Sequence, residues 1–160
     1  MSSFSAGVIL PDADPITADR PIVNDGWFPD VDMATLRKAA RIRDDVTFDR
    51  LRGAIVGAII TVGNDLTAWQ ANHRAQGRLS LGAVPSPLID GQSRLTHLYA
   101  RAILGFAKAD LVEGYRDTDL TAAGQRAVED LDPSVAELRR DALHAIRDML
   151  ATSRTTVELI

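Results

Sequence analysis

The spacing of large apolar residues between positions 47 and 77 constrains the fold more than any other feature of the chain. Phe48, Leu51, Ile55, Ile59, Val62, Leu66 and Trp69, with His73 next in the series, recur every three or four residues. That spacing sets them along one face of a helix, whereas a strand would scatter them over both of its faces. Such a helix runs about 45 Å and needs partner helices over most of its length, because most helical stability in proteins comes from packing. Thr47 suits the N-cap, where its hydroxyl accepts from a backbone N–H with no partner inside the helix. Gly53, Gly57 and Gly63 interrupt the aliphatic run. The Gly-x-x-x-Gly spacing is that of membrane helix pairs, but the uncharged run 53–64 falls well short of the roughly 20 apolar residues a bilayer requires. Arg50, Arg52 and Asp65 also bracket it. The glycines are therefore read as places where another helix approaches closely.

Shorter helical periods fill the rest. Asp32 reads as the N-cap of a helix over residues 33–43, with Met33, Leu36 and Ala40 inward and Arg37, Lys38 and Arg41 outward. Asp44 and Asp45 form the turn into the long helix. Pro85 and Pro87 break the segment 78–90, which lets the chain reverse. A second long helix starts between Asp90 and Ser93 and runs to about Tyr115 on Leu95, Leu98, Ala102, Ile103, Phe106 and Ala109. Two long helices joined this way predict an antiparallel hairpin. Leu120, Gly124, Ala127, Val128 and Leu131 mark helix over 121–131, either separate or a kinked continuation. Asp132 as N-cap with Pro133 at the first helical position predicts a last helix to about Ala151, on Val135, Leu138, Ala142, Ile146 and Met149. The expected fold is all-α, a four- to five-helix bundle built on the long antiparallel hairpin.

Two segments lack a helical period. Residues 1–31 form an extended, Pro-rich N-terminal arm with four prolines, Pro11, Pro15, Pro21 and Pro29. Up to Asp32 the chain carries six aspartates against Arg20 alone, so the acidity behind the net charge of −4 belongs to the arm and the remainder is near neutral. Trp27 and Phe28 near its end need a surface to cover, and are expected to pin the arm to the helical body or to a neighbouring subunit. Residues 152–160 form an extended C-terminal tail. Its Thr155, Thr156, Val157, Glu158, Leu159 and Ile160 mix β-branched and apolar types and read as a strand without a partner in its own chain. The chain thus divides into an arm (1–31), a helical body (32–151) and a tail (152–160).

With 160 residues, 46% of them hydrophobic, one domain can bury a real core. There is no cysteine, which excludes a disulfide framework, thiolate zinc sites and a cysteine nucleophile, and fits a reducing compartment. No segment reads as a signal peptide or a membrane span, so the chain is expected to be soluble and intracellular when made. His73, His97 and His144 are far apart, and none has a second ligand at a metal-binding spacing. No nucleophile motif, phosphate cradle or dinucleotide fingerprint occurs. The carboxylate pairs Asp117 with Asp119 and Glu129 with Asp130 read as caps and solvated groups. We therefore assign no catalytic, cofactor-binding or metal site. Arg37, Lys38, Arg41 and Arg43 cluster on one short helix and Arg139-Arg140 lie on another, which raises DNA binding. The acidic balance and the lack of interleaved aromatics favour a solvated or subunit-facing surface instead.

Six stretches together carry a resemblance. Asn24-Asp25-Gly26-Trp27-Phe28-Pro29-Asp30, Ile89-Asp90-Gly91-Gln92-Ser93-Arg94-Leu95, Tyr115-Arg116-Asp117, Arg139-Arg140-Asp141-Ala142, Ala145-Ile146-Arg147-Asp148 and the terminal Thr155-Thr156-Val157-Glu158-Leu159-Ile160 resemble, in order, the head completion proteins of temperate tailed bacteriophages with contractile tails. The resemblance implies a structural protein of the virion neck, made in the host cytoplasm, with no enzymatic activity, cofactor or membrane partner. It further implies a ring, twelvefold in related phages, beneath the portal protein. That ring would contact neighbouring copies and a tail completion or neck protein, and let packaged double-stranded DNA pass without sequence recognition. In related adaptors a C-terminal segment docks on the portal, which gives that role here to Thr155–Ile160. The alternative expectation is a DNA-binding or packaging-regulatory helical protein.

Overall fold

The computed structural model of the chain describes residues 20–118 and 134–151, the side chains of 115–118 excepted. Residues 1–19 of the arm, the helix expected over 121–131 and the tail from Thr155 to Ile160 lie outside the described residues. The described chain is mostly helical, with α1 (Met33–Ala39), α2 (Phe48–Ala75), α3 (Arg94–Thr118) and α4 (Val135–Met149). A minimal antiparallel pair, β1 (Leu88–Ile89) and β2 (Gln92–Ser93), precedes α3. No described helix is long and apolar enough to cross a membrane.

In α2 both ends are specified locally. Thr47 Oγ1 accepts from the Arg50 N–H at 3.4 Å. At the other end Gly77 takes φ 79°, Arg78 N–H donates to His73 O at 3.0 Å and Gly77 N–H to Arg74 O at 2.9 Å. These are the two bonds of a Schellman cap, which needs a left-handed residue that glycine adopts without strain. Leu51, Ile55, Val62 and Leu66 are buried along the inner face, widened by Ala54 and Ala58. Each large side chain contributes about 1.5–3 kcal/mol, so the buried face outweighs either cap.

The α2 glycines correct the sequence expectation. A Cβ built on Gly53, Gly57 or Gly63 meets nothing within 4 Å, because these residues fall away from the stripe of large side chains. The close approach is made by Gly105 of α3, where a Cβ would lie 3.0 Å from both Ala142 Cβ and Leu138 O. It is α3 that holds the bundle together, packing extensively against both α2 and α4, which hardly meet each other. Ala102, Ile103 and Ala107 at its centre are fully buried.

Three local details also differ from expectation. Asp32 caps α1, its Oδ1 accepting from Thr35 N–H at 2.6 Å, but the helix stops at Ala39 and Arg41 turns left-handed at φ 51°. Arg37 does not face outward: its guanidinium donates to Arg43 O and Val46 O, both at 2.8 Å, and satisfies the carbonyls of the turn that follows. Helix α4 is capped by Ser134, not by Asp132 with Pro133 in the first turn. Ser134 Oγ accepts from Glu137 N–H at 3.2 Å while Glu137 Oε2 accepts from Ser134 N–H at 2.8 Å. This Ser-x-x-Glu box satisfies two N–H groups at once, which a lone aspartate does not. Between β1 and β2, Asp90 (φ 50°) and Gly91 (φ 73°) make the paired left-handed turn that Asp-Gly favours.

Candidate functional site

The densest polar and aromatic arrangement in the described chain is where the end of the N-terminal arm meets α2 and α3. It begins with a backbone closure. Ile22 N–H donates to Val31 O at 2.8 Å and Val31 N–H to Ile22 O at 3.0 Å, tying residues 22–31 into a loop. Within the loop, Asp25 Oδ1 accepts from the N–H groups of Trp27 and Phe28, each at 2.9 Å. Asparagine and aspartate make such turns because their short side chains reach backbone donors two and three residues on. Gly26, at φ 80°, provides the left-handed residue the turn requires.

The turn presents Trp27 and Phe28 side by side, and both are buried on the body of their own chain, at 3% and 5% exposure. Phe28 stacks on Tyr99 of α3, with ring centroids 4.7 Å apart and planes 10° from parallel. Trp27 meets Phe28 edge-on at 4.8 Å and Trp69 of α2 at 5.8 Å, and Trp69 in turn meets His73 at 4.4 Å. Trp27 Nε1–H donates to Arg78 O at 2.9 Å, and Leu81 N–H donates to Trp27 O at 2.9 Å. The arm is thus joined to α2, to α3 and to the segment connecting them.

Polar side chains fix the register. Asp25 Oδ2 accepts from Gln70 Nε2 at 2.6 Å and from Arg74 Nη2 at 3.0 Å. Partial burial pushes the Asp25 carboxyl up, but the Phe28 N–H, the Gln70 amide, the Trp27 N–H and the Arg74 guanidinium outweigh it and hold the carboxyl below its ordinary range. Asn24 Nδ2 donates to Tyr99 Oη at 2.7 Å and to Pro29 O at 3.2 Å, while Asn24 N–H donates to Asp30 Oδ1 at 2.9 Å. Burial pushes the Tyr99 phenol up to about 12; the Asn24 hydrogen bond opposes that shift and the Asp25 charge adds to it. The phenol is neutral near neutral pH and serves as an acceptor for Asn24.

This site holds the arm loop in place against α2 and α3. Among the described residues no three of His, Asp and Glu come together as metal ligands. Tyr99, Gln70 and Arg74 were absent from the sequence reading, although Tyr99 lies one turn beyond Leu95 on the same apolar face. The basic cluster expected on α1 is dispersed: Arg37 is spent on carbonyls, and Arg43 pairs with Asp45 at 3.2 Å. On α4, Arg139 pairs with Glu113, and Asp141 lies 3.9 Å from Arg101.

Comparison with known proteins converges on one family. The chain is 32% identical over 143 residues to the head completion/stabilization protein of Escherichia phage P2, covering 89% of this chain and 85% of the relative. It is 27% identical over 144 residues to the probable head completion/stabilization protein of Haemophilus phage HP1, covering 89% and 93%. No solved structure matches. The family model for the phage head completion protein (GPL) matches residues 22–160, starting at the residue whose bridge to Val31 closes the arm loop. A match over most of the length, through the arm loop and every described helix, means that this chain belongs to the phage head completion protein family.

Proposed function

We propose that this chain is a head-to-tail adaptor: it forms a ring beneath the portal, closes the DNA-filled capsid and prepares it for the tail. Family membership makes it a structural protein of the phage head, and therefore of the virion. In this reading the ring sits at the neck, is twelvefold, and contacts the portal, a neck protein and the DNA that passes through it. The observation that carries it is the family match itself, which includes residues 155–160 along with the helical body. Ring subunits need different contacts on their two sides and further contacts above and below, which a helical body of this size has the surface to supply.

In this reading Thr155, Thr156, Val157, Glu158, Leu159 and Ile160 anchor each subunit to the portal, with backbone pairing supplying affinity and the apolar side chains filling shallow pockets. Deleting residues 155–160 leaves a folded protein that no longer binds portal or completes heads. Normal portal binding by the truncated protein, measured by co-sedimentation, would falsify this assignment. Mass measurement and negative-stain imaging with and without portal test the ring. DNA passes through a lumen that is not strongly basic, since a belt of arginines would hold phosphates through many counterion-releasing contacts. A reconstruction with Arg37, Lys38, Arg41 and Arg43 all lining the channel would overturn that point. The use of Arg37 as a carbonyl cap weakens the DNA-binding alternative.

A further inference from the structure

The outer face of α2 departs from what a surface helix carries. Such a helix puts charged and polar groups opposite its buried stripe, where water solvates them. From residue 53 to residue 64 α2 has no charged side chain, although Gly53, Gly57, Ile60, Thr61 and Asn64 are exposed. Ile60 is 57% exposed, and Val56, one turn before it, is half-buried. Beside these two side chains Gly53 and Gly57 leave a shallow groove, since a Cβ added at either meets nothing within 4 Å. The Thr61 hydroxyl turns back and donates to Gly57 O at 3.0 Å, so it needs no water. Arg52 stands at the N-terminal end of this face, one turn before Val56 and two before Ile60. A helix that is apolar on both sides is one that is covered on both sides.

The β1–β2 hairpin has the opposite shape. Leu88 is 71% exposed and Ile89 51%. Successive strand residues point to opposite faces, so the hairpin stands clear of the body with an apolar group on each side. A two-stranded hairpin is marginal by itself, and this one is fastened to the first turns of α3. Arg94 N–H donates to Pro87 O at 2.9 Å, and His97 Nε2–H donates to Ile89 O at 2.9 Å. Side chains presented on so fixed a backbone lose little freedom on docking. Asp90, in the left-handed turn, sets an exposed carboxylate next to Ile89. Neither Asp90 nor Arg52 has an ion-pair partner among the described residues.

The two surfaces match in shape and in charge but sit apart on one subunit. The first turns of α3 are joined to α2 at Trp69, through the rings of Tyr99, Phe28 and Trp27. Gly57 lies twelve residues before Trp69, about 18 Å further along the helix. We infer that the hairpin of one subunit docks on the outer face of α2 of the next copy of this chain, with Leu88 and Ile89 against Gly53, Gly57 and Ile60, and Asp90 facing Arg52. Because the two patches differ, the contact is heterologous: each copy inserts a hairpin on one side and offers a groove on the other, and a series of such contacts closes into a ring when the rotation allows. The inference rests on the ring reading and names the contact between neighbouring copies.

The chain has no cysteine, so disulfide trapping reads the contact without background. Full-length Leu88→Cys and Gly57→Cys proteins are mixed in the presence of portal and mildly oxidised. The mixture gives a disulfide-linked dimer that neither protein gives alone, and one chain carrying both changes gives a ladder of higher multimers. Equal dimer from either protein alone overturns the inference. So does equal trapping of Leu88→Cys by Leu143→Cys, an exposed apolar position on α4. Negative-stain images of the same samples separate this contact from the ring itself. A ring without the mixed dimer overturns the contact and leaves the ring standing, a mixed dimer without a ring does the reverse, and neither product overturns both. As a second measurement, Asp90→Asn, which keeps a residue suited to the left-handed turn, and Arg52→Gln each slow trapping on the order of fivefold. The two together slow it no further than either alone, as partners in one pair do. Losses that multiply overturn the pairing of Asp90 with Arg52, and with it the placement of the hairpin on α2.

Discussion

Replacing Gly105 with alanine puts a methyl carbon 3.0 Å from Ala142 Cβ and 3.0 Å from Leu138 O, with Ala142 Cα at 3.5 Å. Carbon atoms pack best at about 3.5–4.0 Å, so the contact is too short by at least half an ångström. None of the three opposing atoms lies on a rotatable part of a side chain, so only a shift of α4 against α3 relieves the clash. Overpacking of this kind costs about 1–3 kcal/mol, while alanine returns about 1 kcal/mol of helix propensity. The net effect is a loss of up to about 2 kcal/mol. In Gly57→Ala the same propensity gain meets open space, and the change stabilises by about 0.5–1 kcal/mol. At about 2–4 °C per kcal/mol for a chain of this size, the two single variants move Tm in opposite directions by a few degrees. Thermal unfolding of the isolated protein, followed by far-UV circular dichroism, reads both. A Gly105→Ala protein that melts at or above the wild-type temperature would refute the close approach of α3 and α4, and a destabilising Gly57→Ala would refute the open outer face of α2.

Trp27→Ala removes a buried indole and leaves the Arg78 carbonyl without its donor, a loss of about 3–5 kcal/mol that falls first on the arm. Limited proteolysis within residues 20–31 becomes faster while helical circular dichroism stays near wild type; unchanged cleavage counts against the docking. Asp25→Asn keeps acceptors for the turn but loses the charge that Arg74 faces, and destabilises by about 1 kcal/mol given its partial exposure. The Asp25 carboxyl is held below its ordinary value of about 4, so its contribution is present above that pH and lost as pH falls through the lower folded value. Urea melts of wild type and Asp25→Asn therefore differ at neutral pH and converge in acid; a gap independent of pH would exclude the carboxylate as the cause. Ser134→Ala costs about 1 kcal/mol and speeds amide exchange in the first turn of α4, whereas Asp132→Ala does neither. Equal effects of the two would return the cap to Asp132.

The long helix was legible because two signals coincided. The period of its apolar residues gave its extent, and Thr47 and Gly77 stood where a cap and a stop belong. The direction of its glycines was not legible. Period shows which residues share a face, but whether another helix lies on that face depends on the partner's own surface. Gly105 was the residue opposed by Ala142, a small side chain more than thirty positions away. The same limit applies to the arm. Trp27 and Phe28 announced by size alone that they need a surface, yet their partners Trp69 and Tyr99 come from two different helices. Asp25 bonds to Gln70 and Arg74, 45 and 49 positions on, and Asn24 to Tyr99, 75 positions on. No local pattern encodes such pairings. Ser134 was different, since Ser-x-x-Glu was readable and the adjacent Asp-Pro drew the cap assignment two residues too early.

The stretch Asn24-Asp25-Gly26-Trp27-Phe28-Pro29-Asp30 is among the most recognisable parts of the chain, and its geometry says what such a stretch does. Asn24 and Asp25 direct their side chains to the loop itself and to α2 and α3. Gly26 makes the turn, Trp27 and Phe28 fill the core, and Asp30 accepts from Asn24 N–H. Trp27 and Phe28, buried in this way, cannot also be the main contacts to another protein. The motif therefore preserves the shape of the subunit, and substitutions in it act on head completion by loosening the arm from α2 and α3. Contacts with other head components must be made by groups that the fold leaves outward. Ile60 on the open face of α2 and Leu88 and Ile89 on the hairpin are such groups, exposed at 57%, 71% and 51%. Nothing in the packing of the isolated subunit requires an apolar side chain at those three positions, so changing them to polar residues tests assembly without testing the fold.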